Sequence, residues 1–158
     1  MEQLDRAIIH AARLGELPVL EELIKSNVNV NAKDEKGYTP LIIACYSNQY
    51  KAADLLLKAQ ADVNAQDAGG NTALMGTAFK GYADIAQLLL DNGADINLQH
   101  GNGGTALMFA AMFGRNELIK LLLTNGADKS ITDSRGLTAH DLAAQQNNQE
   151  GMLLLDDQ

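Results

Sequence analysis

The residues best suited to chemistry in this chain are three histidines and one cysteine: His10, His100, His140 and Cys45. Three imidazoles could hold a zinc ion, and a His beside an Asp, as at His140-Asp141, could move a proton. Neither pattern has the geometry it needs. The histidines are far apart in sequence and occupy different structural slots. Neighbouring residues on a helix project from different faces, so His140 and Asp141 form no dyad. A single cysteine makes no internal disulfide and no thiolate cluster. A reactive thiol would need exposure and a cationic neighbour. The stretch Gly101-Asn102-Gly103-Gly104 has the glycine content of a phosphate-cradling loop, but it follows no core strand and lacks the lysine of that motif. Hydrolase and transferase chemistry therefore has no anchor, so neither an enzyme, a metal nor a cofactor is expected.

The elements that would position these residues follow from composition and period. The 158 residues suffice for one ordinary domain. A net charge of −8 argues against a nucleic-acid binder and against an anionic membrane as partner. Aromatics are only 4% of residues and tryptophan is absent, while alanine and leucine dominate. Such a core suits closely packed helices better than a β-sandwich. The apolar runs are too short to span a bilayer, and the acidic start MEQLDRAIIH lacks the features of a secretory signal. A cytoplasmic location is the default expectation.

Internal repetition sets the organisation. Glycine recurs at Gly37, Gly70, Gly103 and Gly136, and threonine at Thr39, Thr72, Thr105 and Thr138, each step being 33 residues. Small pairs keep the same phase at Ala11-Ala12, Ala44-Cys45, Ala110-Ala111 and Ala143-Ala144, with Thr77-Ala78 as a looser member. So do Asp62, Asp95 and Asp128 and the triple leucines at 55–57, 88–90 and 121–123. Each threonine is a good N-cap, and Pro40 suits the first helical position. The slot Gly15, Asn48, Gly81, Gly114, Asn147 holds only residues that tolerate a left-handed backbone, so a tight turn ends each unit's first helix. The second helix ends at Gly93-Ala94-Asp95 and its counterparts, and a polar, Gly-ended turn such as Asp34–Gly37 projects sideways before the next unit. Within this frame Cys45 fills an alanine slot on the packed face. His10 fills the slot of Ile43 and is expected to be partly buried, and His100 replaces the turn-organising Asp34, Asp67 and Asp133.

Thr39-Pro40-Leu41, Gly93-Ala94-Asp95-Ile96-Asn97 and the 33-residue period resemble the ankyrin repeat over essentially the whole chain. The resemblance implies an all-α solenoid of helix–turn–helix units with β-hairpin loops. One domain over 1–158 is expected, with units at 1–33, 34–66, 67–99, 100–132 and 133–158. The histidine that usually follows Thr-Pro-Leu is replaced by Ile9, Ile42, Met75, Met108 and Asp141, so its hydrogen bond to the loop is absent. Ala73, Ala106 and Ala139 replace proline, a pattern that resembles small stand-alone bacterial ankyrin proteins.

The resemblance also implies that a partner protein docks in a concave groove formed by the hairpin tips and the outer ends of the first helices. Carried onto this sequence, the residues expected to contact it are Arg13, Tyr38, Tyr46, Phe79, Lys80, Met112, Phe113 and Arg135. Aromatic and basic residues collect in these slots of an otherwise acidic chain, and such enrichment marks interface cores. The expected function is a non-catalytic protein-binding module, monomeric alone, acting as adaptor or inhibitor. Neutralisation of a toxin or enzyme, or self-association into a structural array, are the alternatives.

Overall fold

The computed structural model describes residues 2–156; the expected outer bounds at Met1 and Gln158 lie outside them. Ten α-helices and no strand occur among the described residues. The chain resolves into two compact units, Met1–Ala73 and Leu74–Gln158. In the first, α1 (Gln3–Leu14) and α2 (Leu17–Lys25) form one pair, and α3 (Pro40–Tyr46) and α4 (Tyr50–Lys58) the next. Helix α1 packs on α3 and α2 on α4. In the second, α5 (Ala73–Lys80) and α6 (Ala83–Asp91) precede α7 (Ala106–Met112) and α8 (Asn116–Thr124), then α9 (Ala139–Gln145) and α10 (Gln149–Leu155). Here α7 packs on α9, and α8 lies against both α6 and α10.

Most of these helices have seven to nine residues, too few to persist alone in water. Stability comes from their small buried faces. Ala11, Ala12, Ala44, Cys45, Ala110 and Ala111 are at most 1% exposed, which lets neighbouring backbones approach closely. Around them the core is aliphatic, with Ile8, Leu20, Leu41 and Leu56 buried in the first unit and Ile85, Leu89, Leu107, Leu118 and Leu122 in the second. The looser member Thr77 is also fully buried, and its hydroxyl donates to the Leu74 carbonyl at 2.7 Å.

Caps start and stop the helices where the sequence places them. Thr39, Thr105 and Thr138 accept from the backbone N–H three residues on, and Asp141 returns the bond to Thr138 N–H to close a capping box. Gly15, Asn48, Gly81, Gly114 and Asn147 all have positive φ, as do Asn27, Gln60, Gly93 and Gly126 after the second helices. At Gln60 the N–H reaches Leu57 O and the next N–H, of Ala61, reaches Leu56 O, both at 3.0 Å. That is the paired closure of a Schellman turn.

The turns between helix pairs are held by aspartate instead of the missing histidine. Asp34 Oδ1 accepts from Lys36 and Tyr38 N–H, Asp67 from Gly69 and Asn71, and Asp133 from Arg135 and Leu137, all within 3.0 Å. Each turn is too short for strand pairing, but adjacent tips are joined. Ala68 N–H donates to Lys36 O, and Ser134 N–H donates to Asn102 O, each at 2.9 Å. Asn31 and Asn97 reach forward to cap Asp62 and Asp128 N–H, so successive turns are tied at two places.

Two tests follow from these backbone positions. Gln60 holds a left-handed φ of 70°, where glycine is free of the side-chain penalty. Gln60→Gly should stabilise the chain by up to about 1 kcal/mol, less the entropy that glycine adds to the unfolded chain. An unchanged or lowered urea midpoint would count against that strain. Gly37 and Gly136 share a φ of 80°, but a Cβ on Gly37 would lie 2.7 Å from Ala68 N, whereas one on Gly136 meets nothing within 4 Å. Both alanine variants should lose about 1 kcal/mol to backbone strain, and Gly37→Ala should lose distinctly more. Equal losses in parallel denaturation curves would mean that the tips are not closely stacked.

Candidate functional site

The expected partner-binding residues divide between the two units. In the first, Arg13 is exposed on the last turn of α1 and borders a shallow hollow with Arg6, His10, Asp34 and Glu35. Its carbonyl accepts Gln49 Nε2 at 3.3 Å. Tyr46 ends α3 with 46% of its surface exposed, and Tyr38 is half-buried, its N–H on Asp34. In the second unit, Phe79 and Lys80 end α5, Met112 ends α7 and Phe113 follows it. Phe79 and Phe113 meet edge to face, with ring centroids 4.5 Å apart at 89°, a favoured aromatic geometry. Phe113 remains 43% exposed.

Of Phe79, Lys80, Met112 and Phe113, only Met112 lines an open hollow of about 420 Å³ between the turns at 100–104 and 133–135 and helices α7 and α9. Its floor is Met108, Phe109, Met112 and Leu142; its rim is His100, Asn102, Asp133, Ser134 and Arg135. Arg135 lies here as expected, with Nε and Nη2 both on Asp133 Oδ2, at 3.2 and 2.8 Å. The Leu137 N–H and then the Arg135 guanidinium hold the Asp133 carboxyl below its ordinary pKa.

Three contributors escaped the sequence reading. Phe109 stands half-buried in a slot that runs His10, Ile43, Gly76, Phe109, Leu142; this change of volume from copy to copy is the signal of a slot whose burial varies with what covers it. His100 is also more than a neutral replacement. Its Nδ1 accepts Gly104 N–H at 2.9 Å, doing one of aspartate's two tasks, while its ring meets Phe109 edge on at 5.1 Å. Arg115 lays its side chain over Gly81, and its Nε donates to Phe79 O at 3.0 Å. Any Cβ on Gly81 would meet Arg115 Cδ at 3.1 Å, so this glycine supplies both a left-handed turn and a seat.

The histidines and the cysteine are dispersed. The expectation that His10 is partly buried is wrong: it is exposed, because no element among the described residues covers that side of α1, whereas Ile43 in the equivalent slot is buried. His140 Nε2 contacts Asp156 Oδ1 at 2.9 Å, while Asp141 caps α9, so the two point apart. Among the described residues no three His, Cys, Asp or Glu side chains gather as a metal set, and no helix is long and apolar enough to cross a membrane.

Cys45 is wholly buried in α3, and burial pushes its thiol pKa far above the ordinary value. Only the thiolate attacks electrophiles, and both its formation and its access are blocked here. Iodoacetamide at mildly alkaline pH should leave the folded chain unmodified and label it fully in denaturant. Rapid labelling of the native chain, read by intact mass, would show that α3 opens readily.

Aligned with known families, the chain matches the family described as Ankyrin repeats (3 copies) over residues 3–67 and 74–157, well over half its length. No curated protein matches it. The 33-residue period, the threonine caps, the left-handed helix closures and this match agree, and the chain belongs to the ankyrin-repeat family, whose repeats are general protein–protein interaction modules.

Proposed function

We propose that the five units act as one non-catalytic domain that holds a single partner protein on the groove side, as an adaptor or inhibitor. The observation that carries this is the placement of the aromatics. All seven lie among the described residues, and none is buried, although the core is otherwise complete in aliphatic side chains. Five of them, Tyr38, Tyr46, Phe79, Phe109 and Phe113, occupy first-helix or turn slots on the expected binding side. The part of their surface left exposed adds no burial to the fold, and aromatic surface is the usual material of interface hot spots.

The last unit supports a chain that stands alone over one that self-associates. Where α7 buries Leu107, Met108 and Ala111, α9 carries His140, Asp141 and Ala144, all only half-buried. Polar residues thus take two of the three slots through which a further unit would stack.

Replacing Phe79 and Phe113 together by alanine should weaken partner capture at least tenfold, because truncated hot spots typically cost about 2 kcal/mol or more. The thermal midpoint should fall by only a few degrees, since Phe79 is half-buried and Phe113 more exposed. Lys58→Ala with Lys120→Ala, on the second helices, should leave capture intact. Collapse of the fold would make the aromatic pair core, and unchanged capture by a folded variant would move the docking site elsewhere.

A further inference from the structure

We infer that the second unit's groove takes an acidic segment of its partner, with a large apolar side chain seated on the aromatic and methionine floor; this rests on the groove reading above. The argument is charge segregation. From Leu74 to Gln158 the chain has five lysines and arginines against ten aspartates and glutamates. Two of the five cations nevertheless stand at the groove, Arg135 lining the hollow and Arg115 bonded to the carbonyl of Phe79 in the Phe79–Phe113 pair. Lys80 directly follows Phe79 at the end of α5. The one acid lining the hollow is Asp133, whose carboxylate already accepts two backbone N–H groups and the Arg135 guanidinium. The remaining acids lie mainly on or just after the second helices, as at Asp84, Asp91 and Glu117.

The two arginines are held as receptors for carboxylate. Arg115 spends Nε on Phe79 O, and Arg135 spends Nε and one Nη2 hydrogen on Asp133. A guanidinium has five donors, so each keeps donors for an incoming carboxylate in a side chain already fixed. The overall charge of −8 does not cancel this. Beyond about 8 Å physiological salt screens the distant acids, while groups in contact keep their attraction. An apolar residue flanked by Asp or Glu therefore complements a floor of Met108, Phe109 and Met112 with the Arg135 guanidinium on its rim.

A library of short random peptides selected against the intact chain tests this, followed by fluorescence anisotropy with the enriched peptides and amide shift mapping on the labelled protein. The expected consensus has Asp or Glu beside Phe, Leu or Trp, and shifts centred on residues 109–115 and 133–135. Arg115→Gln with Arg135→Gln should weaken binding about fivefold at low salt and much less at high salt, with the melting curve little changed. Peptides that map to the groove but lack acid, or ignore the arginine changes, overturn the acidic-partner inference and leave the groove reading standing. Peptides that map elsewhere, or a library that yields no binder, overturn both.

Discussion

Every helix here is too short to stand alone, and what makes the repeat possible is the way α1 to α9 stop. The backbone turns left-handed at one residue, and two N–H groups fold back on the last carbonyls. After each first helix this closure sends the chain straight into the antiparallel second helix with no loop to spare. It sets the small residues of each first helix against those of its neighbour, so that burial can offset the weak intrinsic stability of seven-residue helices. Glycine and asparagine fill the slot because their cost there is low. Gln60 shows that the closure is enforced by the fold even where the residue type resists it.

Within each unit the same economy repeats between neighbours. Gln49 and Arg115 each satisfy a carbonyl two residues before the preceding left-handed turn, one in each unit. Lys33 and Gln99 do the same for Gln66 and Thr132 beside the turns. Side chains that look like free surface in a single copy are therefore partly spent on holding the next copy in register. That division separates Arg115, fixed against Phe79 of the preceding copy, from Lys58 on a second helix, which pairs with Asp54 of its own helix.

The frame of the fold was legible because it is written several times: threonine caps, left-handed slots and turn aspartates recur at fixed spacing, and each copy checks the others. The site was legible only where a copy departs from its neighbours. Phe79 and Phe113 announced themselves as aromatics at the outer ends of first helices, in the slots that hold Arg13 and Lys80 in other copies. Phe109 hid inside a helix pattern that reads as core, and Arg115 hid because its role depends on a carbonyl 36 residues away. His10 misled for the opposite reason. Its slot is buried in the next copy, but burial belongs to the neighbour that covers it, and no described element covers that side of α1.

The stacked turn tips carry a consequence for how such a chain can change over time. Because Lys36 and Asn102 accept N–H groups from the tips that follow, and a single added carbon on Gly37 would strike the next backbone, the spacing between copies has no slack. Inserting or deleting one residue would throw the altered copy out of phase with the copies on either side. Duplicating or excising a whole 33-residue copy would keep every copy in phase. The molecule thus has a quantum of length, and its lineage can lengthen or shorten its binding surface by recombination in whole units far more easily than by small insertions and deletions.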